Sequence, residues 1–189
     1  MIFPTLLLLA VLPPELKPVE DHFKATPALT AHFVQKRHWA ALKDVLESSG
    51  TVTFERSGRI IWRTEKPSLS ELELDGSKAT MRAPKLGTSQ SFDLKADPGM
   101  AAVFESLAAV MKADFPAIDK LYDLKLSSKS PVAVELKPKN EALGSVLSRI
   151  SLKFDAKQDL SQVILDEAAG DSTEISFSAQ TITAPDAGH

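Results

Sequence analysis

From Leu29 to Ala83, five short runs place apolar residues at every second position. A segment with that period can bury one face only by joining a sheet, and a run of several such segments commits the chain to a broad one. The runs are Leu29 to His38, Leu46 to Arg56, Arg59 to Thr64 with Ile60 and Trp62 on one face, a fourth around Leu72 and Leu74, and a fifth carrying Ala79, Met81 and Ala83. Turn chemistry separates them: Ser57-Gly58, Pro67-Ser68 and Asp75-Gly76 are pairs that break a strand or reverse it. Gln90 to Leu94, with Phe92 and Leu94 in phase, extends the series into an antiparallel meander.

The period then changes. Asp97-Pro98 supplies an N-cap and a proline at the first helical position, and Met100, Val103, Phe104, Leu107, Val110 and Met111 recur at helical spacing as far as Lys112. Phe115-Pro116 stops that helix, a short one follows over Ala117 to Tyr122, and another short helix starts near Pro18 ahead of the first strand. Strands return with Val132, Val134 and Leu136, then Ile150, Leu152 and Phe154, then Gln162 to Asp166 and Thr173 to Thr183. The fold class that follows is α+β: a long antiparallel sheet, strongly curved or half closed, with short helices over its apolar face.

At 189 residues and 43% apolar, residues 13–184 suit a single domain with a sizeable core. Met1 to Leu12 is apolar but shorter than the roughly 20 residues of a membrane span, and Pro13-Pro14 ends it, so residues 1–12 are expected to be an export signal. Residues 185–189 are expected to form a tail without structure.

Several function classes are excluded. The net charge of −3, with no basic stripe interleaved with aromatics, gives no electrostatic case for nucleic acid. Cysteine is absent, which removes disulfides, thiolate chemistry and a lipid-anchoring cysteine. The histidines His22, His32, His38 and His189 lack metal spacing, and no nucleophile elbow or phosphate loop occurs. No enzyme, metal or cofactor is therefore expected.

Arg56 stands out, because Val52 and Phe54 lead to it at period two while Thr51, Thr53 and Glu55 take the other face. A guanidinium keeps its charge, and a buried unpaired charge costs about 3 kcal/mol or more. Arg56 must therefore reach water, pair with Glu55 or Glu65, or hold something that needs holding. Phe33, Val52, Phe54, Ile60, Trp62, Leu72, Leu74 and Met81 share its sheet face and form either a pocket or an ordinary core.

Several features in order resemble the LolA family of periplasmic lipoprotein carriers. They are F-V-Q at Phe33 to Gln35, G-x-V-x-F-x-R over Gly50 to Arg56, Trp62 six residues on, Pro67, Asp75-Gly76, V-E-L-K-P-K over Val134 to Lys139, and the closing strands I-S-L-K-F-D and L-S-Q-V-I-L-D before T-E-I-S-F. The resemblance spans Phe23 to Thr183. It implies an incomplete barrel of eleven strands whose apolar cavity, covered by helices, takes up acyl chains. It also implies a periplasmic, monomeric carrier that receives a lipoprotein or lipid from an inner-membrane release complex and passes it to an outer-membrane receptor.

On this resemblance Arg56 is a lid latch, donating to backbone carbonyls of the covering helices. The helix bearing Met100, Val103, Phe104, Leu107 and Met111 is either movable lid or fixed core. Ser57 stands where the family has proline, and S-K-A-T-M-R after Gly76 lacks an aromatic pair common there, which implies a pocket of altered shape. A cargo of free lipid or pigment, instead of a lipoprotein, stays open on that account, and a lipid-sensing or protein-interaction domain of related fold is the alternative.

Overall fold

The computed structural model describes residues 12–41, 44–96 and 98–183, with backbone alone at 98–100, 102 and 183. The expected export signal and tail lie almost wholly outside these residues. Leu12 is described, and it packs against the core. A 3-10 turn over Pro14–Leu16 leads into α1 (Lys17–Ala25), then β1 (Ala28–His38), β2 (Val45–Glu55), β3 (Ile60–Lys66), β4 (Ser70–Asp75), β5 (Lys78–Ala83) and β6 (Thr88–Asp93). Next come α2 (Pro98–Met111), α3 (Phe115–Leu121), β7 (Tyr122–Lys129), β8 (Val132–Pro138), α4 (Glu141–Gly144), β9 (Leu147–Phe154), β10 (Leu160–Glu167) and β11 (Ser172–Thr183).

All eleven strands join one sheet in the order β6-β5-β4-β3-β2-β1-β11-β10-β9-β8-β7, and every pairing is antiparallel. The α+β, incomplete-barrel class expected from the sequence is the class found. The first and last strands, β1 and β11, meet at the centre, so the free edges are β6 and β7, which follow one another in the chain. The segment between them must travel from one edge of the sheet to the other. That segment is α2 and α3, and the topology alone thus lays these helices across the sheet.

The apolar phase read from the sequence survives in the register. Phe54 pairs with Ile60, Ile60 with Leu74 and Leu74 with Ala79, while Val52, Trp62, Leu72 and Met81 form the next row. The other face of β3, β4 and β5 carries an ion-pair ladder. Arg59 reaches Glu55 at 3.4 Å and Glu73 at 2.8 Å, Arg82 reaches Glu73 at 2.8 Å and Glu71 at 2.9 Å, and Arg63 reaches Glu71 at 3.5 Å. Opposite charges on neighbouring strands each add a little to pairing.

Gly50 marks a bulge: Ser49 pairs with Lys66 but Gly50 with Thr64. A Cβ at Gly50 would lie 1.9 Å from the Arg63 carbonyl oxygen, so the close approach of β3 requires glycine. Opposite Gly50 on β1, Phe33 packs its ring 4.5 Å from Trp62, and Trp62 meets Phe177 of β11 edge-on at 6.2 Å. This aromatic trio joins the two halves of the sheet.

Three elements depart from the sequence reading, the first being α4, a single turn capped by Asn140 between two expected strands. Tyr122 opens a strand, β7, at the position expected to end the helical stretch; its residues alternate between the core and the outer face, and the strand order places it at the sheet edge. Helix α3 begins earlier than expected, at Phe115, because Asp114 caps it by accepting from the Ala117 amide at 3.0 Å.

Candidate functional site

Helix α2 does not seal onto the sheet. Beneath it lies a cavity of about 180 Å3. Its roof is Val103, Ser106, Leu107, Val110 and Met111, and Trp62 closes one side. Its floor belongs to the last strands: Leu147 and Ile150 on β9, Val163 and Leu165 on β10, Ile175 and Phe177 on β11. Ser106 is the one hydroxyl-bearing residue in this lining, and its oxygen is hydrogen-bonded to the buried Tyr122 hydroxyl. Burial raises the Tyr122 phenol above its ordinary value, with the Ser106 bond opposing. The space therefore presents hydrocarbon almost throughout and suits an apolar guest.

Two smaller spaces adjoin it. One of about 10 Å3 shares Met111 and Phe177 with the first and adds Phe23, Val52 and Leu160. The next, about 120 Å3, shares Phe23 and opens at the surface between α1 and the α2–α3 corner, with Phe54, Arg56, Lys112 and Ala113 around it.

The residues singled out from the sequence divide accordingly. Trp62, Val103, Leu107 and Met111 line the main cavity, and Val52 lines the narrow one. Phe33, Phe54, Ile60 and Leu74 are buried in the core. Leu72 and Phe104 pack against that core half-buried, and Met81, near the free edge, is 48% exposed. The Met100 side chain lies outside the described residues. The sequence marks the floor strands β9, β10 and β11 only as sheet. Their alternation, with Val163 and Leu165 then Ile175 and Phe177 in phase, was the available signal. It carried no hint that these strands, joined from the meander by Trp62, would face α2, because that depends on how β1 and β11 pair.

Arg56 corrects the sequence reading. Strand β2 stops at Glu55, and Arg56 sits exposed in the turn, its amide donating to the Pro27 carbonyl at 2.9 Å. No hydrogen bond from its guanidinium to α2 or α3 carbonyls is found among the described residues. A turn explains this: once the strand ends, period two no longer dictates where the next side chain points. Glu55, its neighbour, is the buried member of the pair and is held by Arg59 and Ser57.

His22 approaches Asp159 at 2.7 Å and ties α1 to the β9–β10 turn. Among the described residues no group of three or more side chains could hold a metal, and no helix is long and apolar enough to cross a membrane.

The profile described as outer membrane lipoprotein carrier protein LolA matches residues 24–188. An uncharacterised conserved protein from Thermus thermophilus is similar in structure over 90% of this chain and 86% of its own, with TM-score 0.54 and 9% identity. A LolA superfamily protein from Nitrosomonas europaea covers 89% and 92% at TM-score 0.49 and 9% identity. The lipoprotein LppX of Mycobacterium tuberculosis covers 89% and 96% at TM-score 0.47 and 8% identity. At such identities the likeness is one of fold. No curated protein matches the chain in sequence.

Proposed function

The chain belongs to the LolA family of outer-membrane lipoprotein carrier proteins, and from that premise we propose that it carries the acyl chains of a lipoprotein or lipid across the periplasm in the cavity beneath α2. Proteins of this family carry and do not catalyse. The observation that supports the reading most directly is the hydrocarbon lining of that cavity under a helix that crosses the sheet from edge to edge.

The size of the space bears on mechanism. Because α2 forms the roof of this 180 Å3 space, an outward movement of α2 enlarges it for a long acyl chain. Each methylene buried contributes about 0.8 kcal/mol, so a chain with a dozen of them gains roughly 10 kcal/mol, enough to offset the parting of α2 from the sheet. The helix is then a lid that closes when the cavity empties. Release at the acceptor membrane requires the reverse: a receptor that offers the chains an equally apolar surface.

Mass spectrometry of molecules that co-purify with the protein from native periplasm tests this. Bound lipoprotein or lipid is the expected finding. A protein that is recovered empty, and that neither takes up an apolar dye nor moves lipoprotein from inner-membrane to outer-membrane vesicles, would sink the carrier role.

A further inference from the structure

The three spaces stand in series, each sharing a wall with the next: Met111 and Phe177 join the first to the second, and Phe23 joins the second to the third. Their chemistry changes along the row. The innermost is hydrocarbon, whereas the outermost has an apolar base of Phe23, Phe54 and Ala113 beneath a charged rim.

That rim has three cations and two carboxylates. Lys24 is satisfied by Glu20 at 2.6 Å, one turn away on α1. Asp114 accepts from the Ala117 amide as the cap of α3, and its carboxylate also acts on Lys24. Arg56 and Lys112 make no ion pair among the described residues. Lys112 is half-buried, and its ammonium is close enough to the Ser57-Gly58 turn that a Cβ on Gly58 would come within 2.8 Å of it. Two cations without a carboxylate partner among the described residues therefore flank the outer space, whose inner wall, Phe23, it shares with the next space in.

Resting on the acyl-carrier reading above, we propose that the cargo is an amphiphile with an anionic head, phosphate or carboxylate. Its tail enters the cavity under α2 through the Phe23–Met111 neck, and its head stays at the surface between Arg56 and Lys112. The neck, at about 10 Å3, must widen to pass a chain, and Met111 suits that, being unbranched and adaptable. A guanidinium and an ammonium offer a phosphate or carboxylate charge-assisted hydrogen bonds, which a neutral head cannot return in kind. The same site gives Arg56 its reason to stand in water: it meets the head, and the lid is left to other contacts.

The test is displacement of a cavity-bound apolar dye by amphiphiles that share one saturated tail: an alkyl phosphate, a fatty carboxylate, a zwitterionic lysophosphocholine and a monoglyceride. Inorganic phosphate serves as the headgroup alone. The phosphate and carboxylate should displace dye at about tenfold lower concentration than the monoglyceride, the worth of one charge-assisted contact, and that gap should close in high salt. In the Arg56→Gln/Lys112→Gln variant the ratio should shrink toward one. Phosphate outcompeting carboxylate marks a phospholipid-type head, and the reverse marks a free fatty acid; either supports the site. Equal displacement by every tail, or a gap that persists in both salt and the double variant, overturns the anionic head while leaving the acyl cavity standing. Failure of every tail, the neutral one included, overturns the carrier reading and this proposal with it. The salt dependence of the unaltered protein decides the matter even if the variant does not fold.

Discussion

The hydroxyls of Ser106 on α2 and Tyr122 at the start of β7 are hydrogen-bonded to each other in a site where Ser106 is 4% exposed and Tyr122 fully buried. The bond joins the roof of the cavity to the edge of the sheet, so it must break if α2 lifts. Tyr122→Phe keeps the ring and leaves the serine without its partner, which should cost about 1–3 kcal/mol in urea unfolding. If α2 is the lid, the same variant should take up an apolar dye faster than the unaltered protein. Slower or equal uptake in stopped-flow fluorescence would show that the helix is fixed core.

The same tyrosine sets an alkaline limit. Burial raises its phenol above 10.0, with Ser106 opposing, so the folded state prefers the neutral form. Below the unfolded value of about 10 both states are protonated and the group has no pH dependence. As pH rises past that value the unfolded chain ionises first, and stability falls until the folded phenol also titrates. Thermal melts from neutral to strongly alkaline pH should show this loss, and Tyr122→Phe should lessen it.

Acid acts on the outer face. Hydrogen bonds from Arg82 and then Arg59 hold the Glu73 carboxyl below 4.5, so its contribution is present above the unfolded value and is lost as pH falls through the folded one. The melting temperature should drop on acidification below about 4.5. In Glu73→Gln that part of the drop should vanish, with a lower melting temperature at neutral pH.

Gly50 shows what a single residue contributes to the closure of β2 on β3. With the Arg63 carbonyl oxygen 1.9 Å from the position of a Cβ, Gly50→Ala cannot be relieved by a rotamer change, because the obstacle is backbone. A loss of about 3 kcal/mol in chemical denaturation is expected. A change under about 0.5 kcal/mol would mean the bulge relaxes.

How far the sequence disclosed all this differs between the two halves of the chain. The meander was legible because turn pairs such as Asp75-Gly76 punctuate strict alternation, and Phe54, Ile60 and Leu74 do share one face. Helix α2 was legible from its spacing and from Pro98. The cavity floor was not, since Ile175 and Phe177 reach it through the pairing of β11 with β1, a contact across most of the chain. Arg56 misled for a local reason: one residue past a strand end, alternation carries no information about direction. Tyr122 reads as helix in the sequence because α3 and β7 abut without a turn residue between them.

That division yields the sharpest test of where cargo sits. Val163, 5% exposed, lies on the cavity floor between Leu152 and Ile175. A larger ring there has empty space to enter, so Val163→Phe should cost roughly 1 kcal/mol or less while occupying part of the 180 Å3. Dye affinity should then fall about tenfold or more, equivalent to the loss of nearly two buried methylenes. The control is Val34→Phe, at a β1 position 40% exposed and out of phase with the core-facing Phe33, which should leave affinity within about twofold. Equal losses in both would mean that the dye does not read this cavity. No loss in Val163→Phe, with its fold intact by melting temperature, would move the acyl site off the β9–β11 floor and back toward the meander around Trp62 and Leu72.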